Sequence, residues 1–243
     1  MGEILLFEQS LSNIGLISRT SKSGEELDMV NHYVDYLKHK YRNRKTDIAI
    51  FYEPKIETGY PDLVIVEFNS TISQQWKPLR HKLSASDIKI LFYIQSKKST
   101  CIDEIVELLG YKSLTVVRSI TKLANLNLIR VSKNGTIHNV ALQSYCSVKN
   151  IISIEAKIDK WSMAIAQAQK NVWFSSESYI LMNRSNCNET IIKQCKMFGI
   201  GIILLNGKVK TVLPGEFRRF PVSYMSLMFN EWIMRKKNLM EGN

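Results

Sequence analysis

Strand and helix signals alternate at both ends of this chain, but a run of three helices and a hairpin separates them, and that interruption limits the possible folds more than any other feature. Ser84 opens a helical stretch through Ile88, Leu91, Phe92 and Ile94. Cys101 to Leu109 forms a second, short helix stopped by Gly110, and Ser113 caps a third with Val116, Val117, Ile120 and Leu123 along one side. Leu128 to Val131 and Thr136 to Leu142 then read as a hairpin around Lys133, Asn134 and Gly135, because Asn followed by Gly suits a tight hairpin turn. Three helices followed by a hairpin is the order of a winged helix-turn-helix.

On the N-terminal side, Leu27, Val30, Val34, Leu37 and Tyr41 recur at helical spacing, with Ser23 as the expected N-cap and Glu26 as its capping-box partner. Strands are expected over Asp47 to Glu53 and Asp62 to Phe68, the second built on the apolar run Leu63 to Val66 of a buried strand. The short apolar run Ile4 to Phe7 is either an N-terminal strand or a dimer contact. After Lys149 the pattern resumes: strand Ile151 to Glu155, helix Ile158 to Trp173, strand Tyr179 to Met182, helix Glu189 to Phe198, and a hairpin from Gly199 to Leu213 around Asn206 and Gly207. A helix from Val222 to Arg235 is expected to close the chain. The expected architecture is therefore α/β: a discontinuous core of residues 1–76 and 147–243, interrupted by an inserted domain of residues 77–146.

Charge separates these parts. The 243 residues carry a formal net charge of +11, and residues 77–150 alone hold 12 Lys and Arg against 4 acids. A basic segment of this kind points to a polyanionic partner, with nucleic acid first and an anionic membrane surface second. No apolar run reaches membrane-spanning length and no basic segment precedes an apolar one at the N-terminus, so a cytoplasmic protein without membrane association is expected. The four cysteines stand apart (Cys101, Cys146, Cys187 and Cys195), which suits free thiols in a reducing compartment better than a zinc site.

The residues with chemistry straddle the insert. Pro61 and Asp62 begin one buried strand, and Glu155, Ala156 and Lys157 end another. Two carboxylates at the ends of neighbouring strands can hold a divalent metal, and the two-residue period of a strand puts Glu155 and Lys157 on one face. In phosphodiester hydrolysis such a metal polarises the phosphate and acidifies a bound water, while an ammonium group stabilises developing negative charge. Glu53, Glu57 and Glu67 lie near this region and read as surface carboxylates, with Glu57 the one able to approach the metal.

Pro61-Asp62 and Glu155-Ala156-Lys157, followed by a helix carrying Trp161 and Gln167-Ala168, resemble the PD-(D/E)xK nuclease superfamily, the restriction-endonuclease-like fold. The resemblance covers roughly residues 23–70 and 150–213 and implies an α-β-β-β-α-β core, a mixed sheet flanked by helices. It implies Mg²⁺ or Mn²⁺ held by Asp62 and Glu155, with Lys157 assisting and Gln167 near the site. It also implies an acidic residue from the first helix, either Glu26 or Glu25. The 93 positions between Asp62 and Glu155 depart from the short turn usual in that superfamily. The segment from Lys112 to Gly135 is similar to the recognition helix and wing of MarR-like regulators. That likeness implies contacts to double-stranded DNA from Ser113, Thr115, Arg118, Ser119 and Lys122, with Lys133 and Asn134 at the wing tip.

Two functions follow as expectations. The first is a metal-dependent deoxyribonuclease, an endonuclease hydrolase in which a winged helix docks on duplex DNA. The second is a non-catalytic transcriptional regulator or DNA-recognition subunit that uses a nuclease-like fold as a scaffold. A homodimer is the default expectation for either, and membership of a larger defence or mobile-element complex suits both.

Overall fold

A computed structural model describes residues 2–70 and 76–241. Its elements run β1 (Ile4–Phe7), α1 (Glu25–Tyr41), β2 (Asp47–Tyr52), β3 (Leu63–Phe68), α2 (Ala85–Gln95), β4 (Ser99–Thr100), α3 (Ile102–Leu109) and α4 (Ser113–Asn125). They continue with β5 (Ile129–Val131), β6 (Ile137–Asn139), β7 (Val148–Ala156), α5 (Trp161–Asn171), β8 (Glu177–Met182), α6 (Glu189–Met197), β9 (Gly201–Asn206), β10 (Lys208–Leu213) and α7 (Tyr224–Glu241). These elements divide into two compact units. The first joins the residues up to Ser70 with Val148–Val222, and the second joins the residues between them with those from Ser223 onward.

The first unit is a seven-stranded mixed sheet in the order β1-β2-β3-β7-β8-β9-β10. Strands β2, β3 and β7 are successively antiparallel, β7, β8 and β9 are parallel, and β1 lies parallel to β2 at one edge. Alternation along the strands serves two helix layers. Ile154, Ala156, Tyr179 and Leu181 pack with Met29, Val30, Val34 and Leu37 of α1. Their neighbours Ile180 and Met182 pack with Ala164, Ile165 and Ala168 of α5 and with Ile191 and Cys195 of α6. The parallel pairs β7/β8 and β8/β9 each need a crossover, and α5 and α6 supply them. The expected strand at Ile4 to Phe7 is β1. Helix α1 starts differently from expectation: Gly24 is the N-cap, no side chain caps the helix, and Glu26 is used elsewhere.

Strands β3 and β7 are neighbours although the second unit interrupts the chain between them. Phe68 pairs with Val148 at the end where the chain leaves and returns, and Leu63 pairs with Ile154 at the other. An insertion at one end of a strand pair leaves the far end undisturbed, about 20 Å away along a six-residue strand. This is how Asp62 and Glu155 come together across so many residues.

The second unit packs helices α2 to α4 with a three-stranded antiparallel sheet in the order β4-β6-β5. Gly110, at φ 66°, ends α3 in the left-handed conformation that favours glycine. Lys112 rather than Ser113 is the N-cap of α4. The expected extent of the core to residue 243 needs correction, because α7 belongs to this unit and not to the sheet. Its buried side chains explain why. Glu231 pairs with buried Arg80, Asn230 accepts from the Ser147 N–H at 2.8 Å, and Arg235 donates to the Leu83 carbonyl at 2.8 Å.

Asp87 organises the helices of this unit. It completes a capping box with Ser84 at the start of α2, accepts from Ser119 Oγ at 2.6 Å and pairs with Lys122 Nζ at 3.0 Å. Burial works to raise its pKa, but the donors from Ser119, Ser84 and Lys122 outweigh burial and hold it below the usual carboxylate range. Its stabilisation is therefore present at neutral pH and lost as the pH falls through that lowered value. Asp87→Ala is expected to cost about 2–4 kcal/mol, since a cap and a buried hydroxyl lose their acceptor together. An unchanged urea midpoint would contradict this role.

Candidate active site

The β2–β3 turn, the end of β7, the start of α1 and one face of α5 meet at a single cleft of about 480 Å³. Its lining includes Glu26, Glu53, Asp62, Lys157 and Gln167. Asp62 stands just before β3, and its Oδ2 accepts from the Ala156 N–H at 2.8 Å, so the two expected motif strands are joined at the motif itself. Lys157 Nζ donates to Glu26 Oε2 at 2.8 Å and lies 3.8 Å from Asp62 Oδ2. Of the two acids offered by α1, Glu26 reaches the lysine, while Glu25 lines a separate depression with Asp28 and His32.

Glu155 is buried, at 3% exposure. Asn171 Nδ2 donates to its Oε1 at 2.7 Å, and its Oε2 has no hydrogen-bond partner. Burial is the main cause that pushes its pKa up to about 8, and the charge of nearby Asp62 adds to this. Burial likewise raises Asp62 against the opposing pull of Lys157. Burial lowers Lys157, but Glu26, Asp62 and Glu155 outweigh it and leave the ammonium above its ordinary value. The expected sharing of one strand face by Glu155 and Lys157 is not what occurs. Strand β7 ends at Ala156, so Glu155 is fixed from α5 while Lys157 turns to α1.

This donor set fits a hard divalent cation. Burial raises the Asp62 and Glu155 carboxyls despite the nearby Lys157 ammonium, and an orphaned carboxylate oxygen (Glu155 Oε2) and an orphaned amide oxygen (Gln167 Oε1) are both buried. Among the described residues no group of three or more His, Cys, Asp or Glu is arranged to hold a metal. Mg²⁺ commonly takes only one or two carboxylates and keeps several waters.

Two residues escaped the sequence reading. Asn171 fixes Glu155, and it adjoins a buried serine cluster in which Ser153 Oγ lies within hydrogen-bonding distance, 3.0 Å, of both Ser175 Oγ and Ser178 Oγ. The recurrence of Ser153 and Glu155 on alternate positions within the apolar stretch Ile151 to Ala156 is the available signal. Glu53 was read as a surface carboxylate, but it is buried, lines the cleft and pairs with Arg19. Of its neighbours, Glu67 accepts from Tyr41 and Glu57 is exposed outside the cleft lining.

The second unit carries the residues expected at DNA. Ser113, Arg118, Lys133 and Asn134 are exposed and Thr115 is half-buried. Asn134 Oδ1 accepts from Ser132 Oγ at 2.7 Å and from the Thr136 N–H at 3.2 Å, shaping the β5–β6 turn. Ser119 needs correction, because it is buried on Asp87, whereas Lys122 pairs with Asp87 and stays exposed.

All four cysteines are free thiols. Among the described residues no helix is long and apolar enough to cross a membrane. No family model, curated protein or solved structure matches the chain.

Proposed function

We propose that the sheet unit is a metal-dependent nuclease core of the PD-(D/E)xK type and that the helical unit is a winged helix that binds double-stranded DNA. The observation that carries the reading is the meeting of Glu26, Asp62 and Lys157 in one cleft, with buried Glu155 beside Asp62, from three separate parts of the chain. The succession α1-β2-β3-β7-α5-β8 supports it, since it has the order expected of that core.

Asp62 and Glu155 would hold Mg²⁺ or Mn²⁺, which when bound supplies polarisation of a phosphate and an acidified water. The protein's own groups do the rest. Ala156 N–H orients Asp62, and Asn171 orients Glu155. Lys157, kept charged chiefly by Glu26 and Asp62, places a positive charge beside the position of a scissile phosphate. Gln167 offers a buried amide oxygen to the same space.

A second reading, DNA recognition on a non-catalytic scaffold, draws on the lack of a three-ligand metal group among the described residues. One experiment separates the two. Purified protein with Mg²⁺ is expected to nick or linearise supercoiled plasmid and to stop on addition of EDTA. Salt-sensitive duplex binding without any cleavage, in Mg²⁺ or Mn²⁺, would instead establish the second reading.

A further inference from the structure

The segment that precedes α1 is fastened to the β2–β3 connection. Lys55 N–H donates to the Ile17 carbonyl at 2.8 Å, Arg19 N–H donates to the Glu53 carbonyl at 3.0 Å, and Ser18 forms a bridge with Pro54. Glu53 occupies the left-handed region at φ 41°, a conformation that non-glycine residues adopt only at a cost. It is tied from both sides, since its N–H donates to the Asp62 carbonyl at 3.2 Å while its carbonyl receives Arg19. Its buried carboxylate accepts from Arg19 Nε.

Arg19 is thereby held in an unusual way. Arg–carboxylate pairs often engage two parallel donors, but here Glu53 takes Nε alone. The guanidinium lies over the Tyr60 ring, 5.4 Å from its centroid. Among the described residues its Nη1 and Nη2 donors have no partner, and the side chain is 57% exposed on the lining of the cleft that holds Asp62 and Lys157. A planar pair of donors, anchored at its root by a buried acid and at its face by a ring, is pre-organised for a tetrahedral oxyanion.

We propose that Arg19 is a substrate-binding residue that grips a backbone phosphate of the nucleic-acid strand entering this cleft, with Lys22 of the same segment on the rim. The inference rests on the reading of the cleft as a phosphodiester site. A phosphate gripped equally in ground and transition states lowers KM and leaves kcat nearly untouched.

The test measures binding of a fluorescent duplex in EDTA between 50 and 200 mM salt, together with steady-state cleavage in Mg²⁺. Arg19→Ala is expected to reduce the slope of log K against log salt by about one and to weaken binding roughly tenfold at low salt. In cleavage it should raise KM about tenfold with kcat within about threefold. Arg19→Lys should keep the slope and lose part of the affinity, because it retains the charge and lacks the fork. A cooperative thermal transition above the assay temperature, lowered only by the loss of Glu53's partner, guards against misfolding. Unchanged slope and KM in Arg19→Ala would overturn the proposal while leaving the nuclease reading intact. A reduced slope in a protein that cuts nothing would do the opposite. A protein that binds no duplex at all would overturn both.

Discussion

Lys157→Ala is expected to slow metal-dependent DNA cleavage by about a hundredfold or more, with duplex affinity nearly unchanged. The side chain is 14% exposed, and its ammonium lies between Glu26 and Asp62. Removing a pre-positioned charge from the place where charge develops typically costs two to three orders of magnitude in rate. Asp62→Asn is the cleaner companion variant, because an amide oxygen can still accept from the Ala156 N–H while the carboxylate charge is gone. Asp62→Ala would leave that N–H without its acceptor and add about 1–3 kcal/mol of instability to any loss of activity. Single-turnover cleavage of a labelled duplex measures the effect, and equal rates in Lys157→Ala and the unaltered protein would remove this lysine from the reaction.

The second large effect concerns stability in the absence of metal. Glu155 has an ordinary value of 4.5 and is raised to about 8 in the folded protein, first by burial and then by Asp62. The folded state therefore keeps a proton that the unfolded chain has released between these two values, so stability falls as pH rises from about 4.5 to about 8 and levels off beyond. The loss across that window is on the order of 3–5 kcal/mol. Glu155→Gln removes the charge and keeps an oxygen for Asn171, so its stability should be nearly flat over the same range. The two proteins should unfold alike near pH 4.5, and the variant should be the more stable by several kcal/mol at pH 8. Unfolding curves in EDTA across this range test the effect, and parallel pH profiles would show that Glu155 is not strained. The same variant should lack cleavage activity, separating what the carboxylate costs the fold from what it supplies to the site.

These predictions depend on residues of differing legibility. Leu63 to Val66 and Ile151 to Glu155 announce buried strands through their own apolar runs, and Pro61-Asp62 and Glu155-Ala156-Lys157 mark the ends of those strands. Helices α2, α3 and α4 were legible from Ser84, Gly110 and the spacing of Val116, Ile120 and Leu123, because caps and periodicity are local. Other roles were not local. Ser119 has the chemistry of a DNA contact, and no feature of α4 reveals that Asp87, on another helix, buries it. Helix α7 carries Asn230, Glu231 and Arg235 in a pattern that reads as an ordinary amphipathic surface until Arg80, Ser147 and the Leu83 carbonyl are seen to meet it. Glu53 looked like a solvent-facing strand end because left-handed backbone in a glutamate has no sequence signature.

Local pattern was enough to place an α/β sheet on either side of a basic helical segment and to single out Asp62, Glu155 and Lys157, because periodicity, capping and charge are properties of neighbouring residues. Whether those three meet was a matter of strand pairing. The pairing of β3 with β7 lets the chain depart at Phe68 and return at Val148 while Asp62 and Ala156 stay within hydrogen-bonding distance at the other end. The ionisation of the site was equally non-local. Burial of Glu155 beneath α5, the close approach of Asp62 and the reach of Lys157 to Glu26 each bring together residues remote in the chain. Desolvation and charge pairing depend on three-dimensional proximity, which the packed sheet and its two helix layers create.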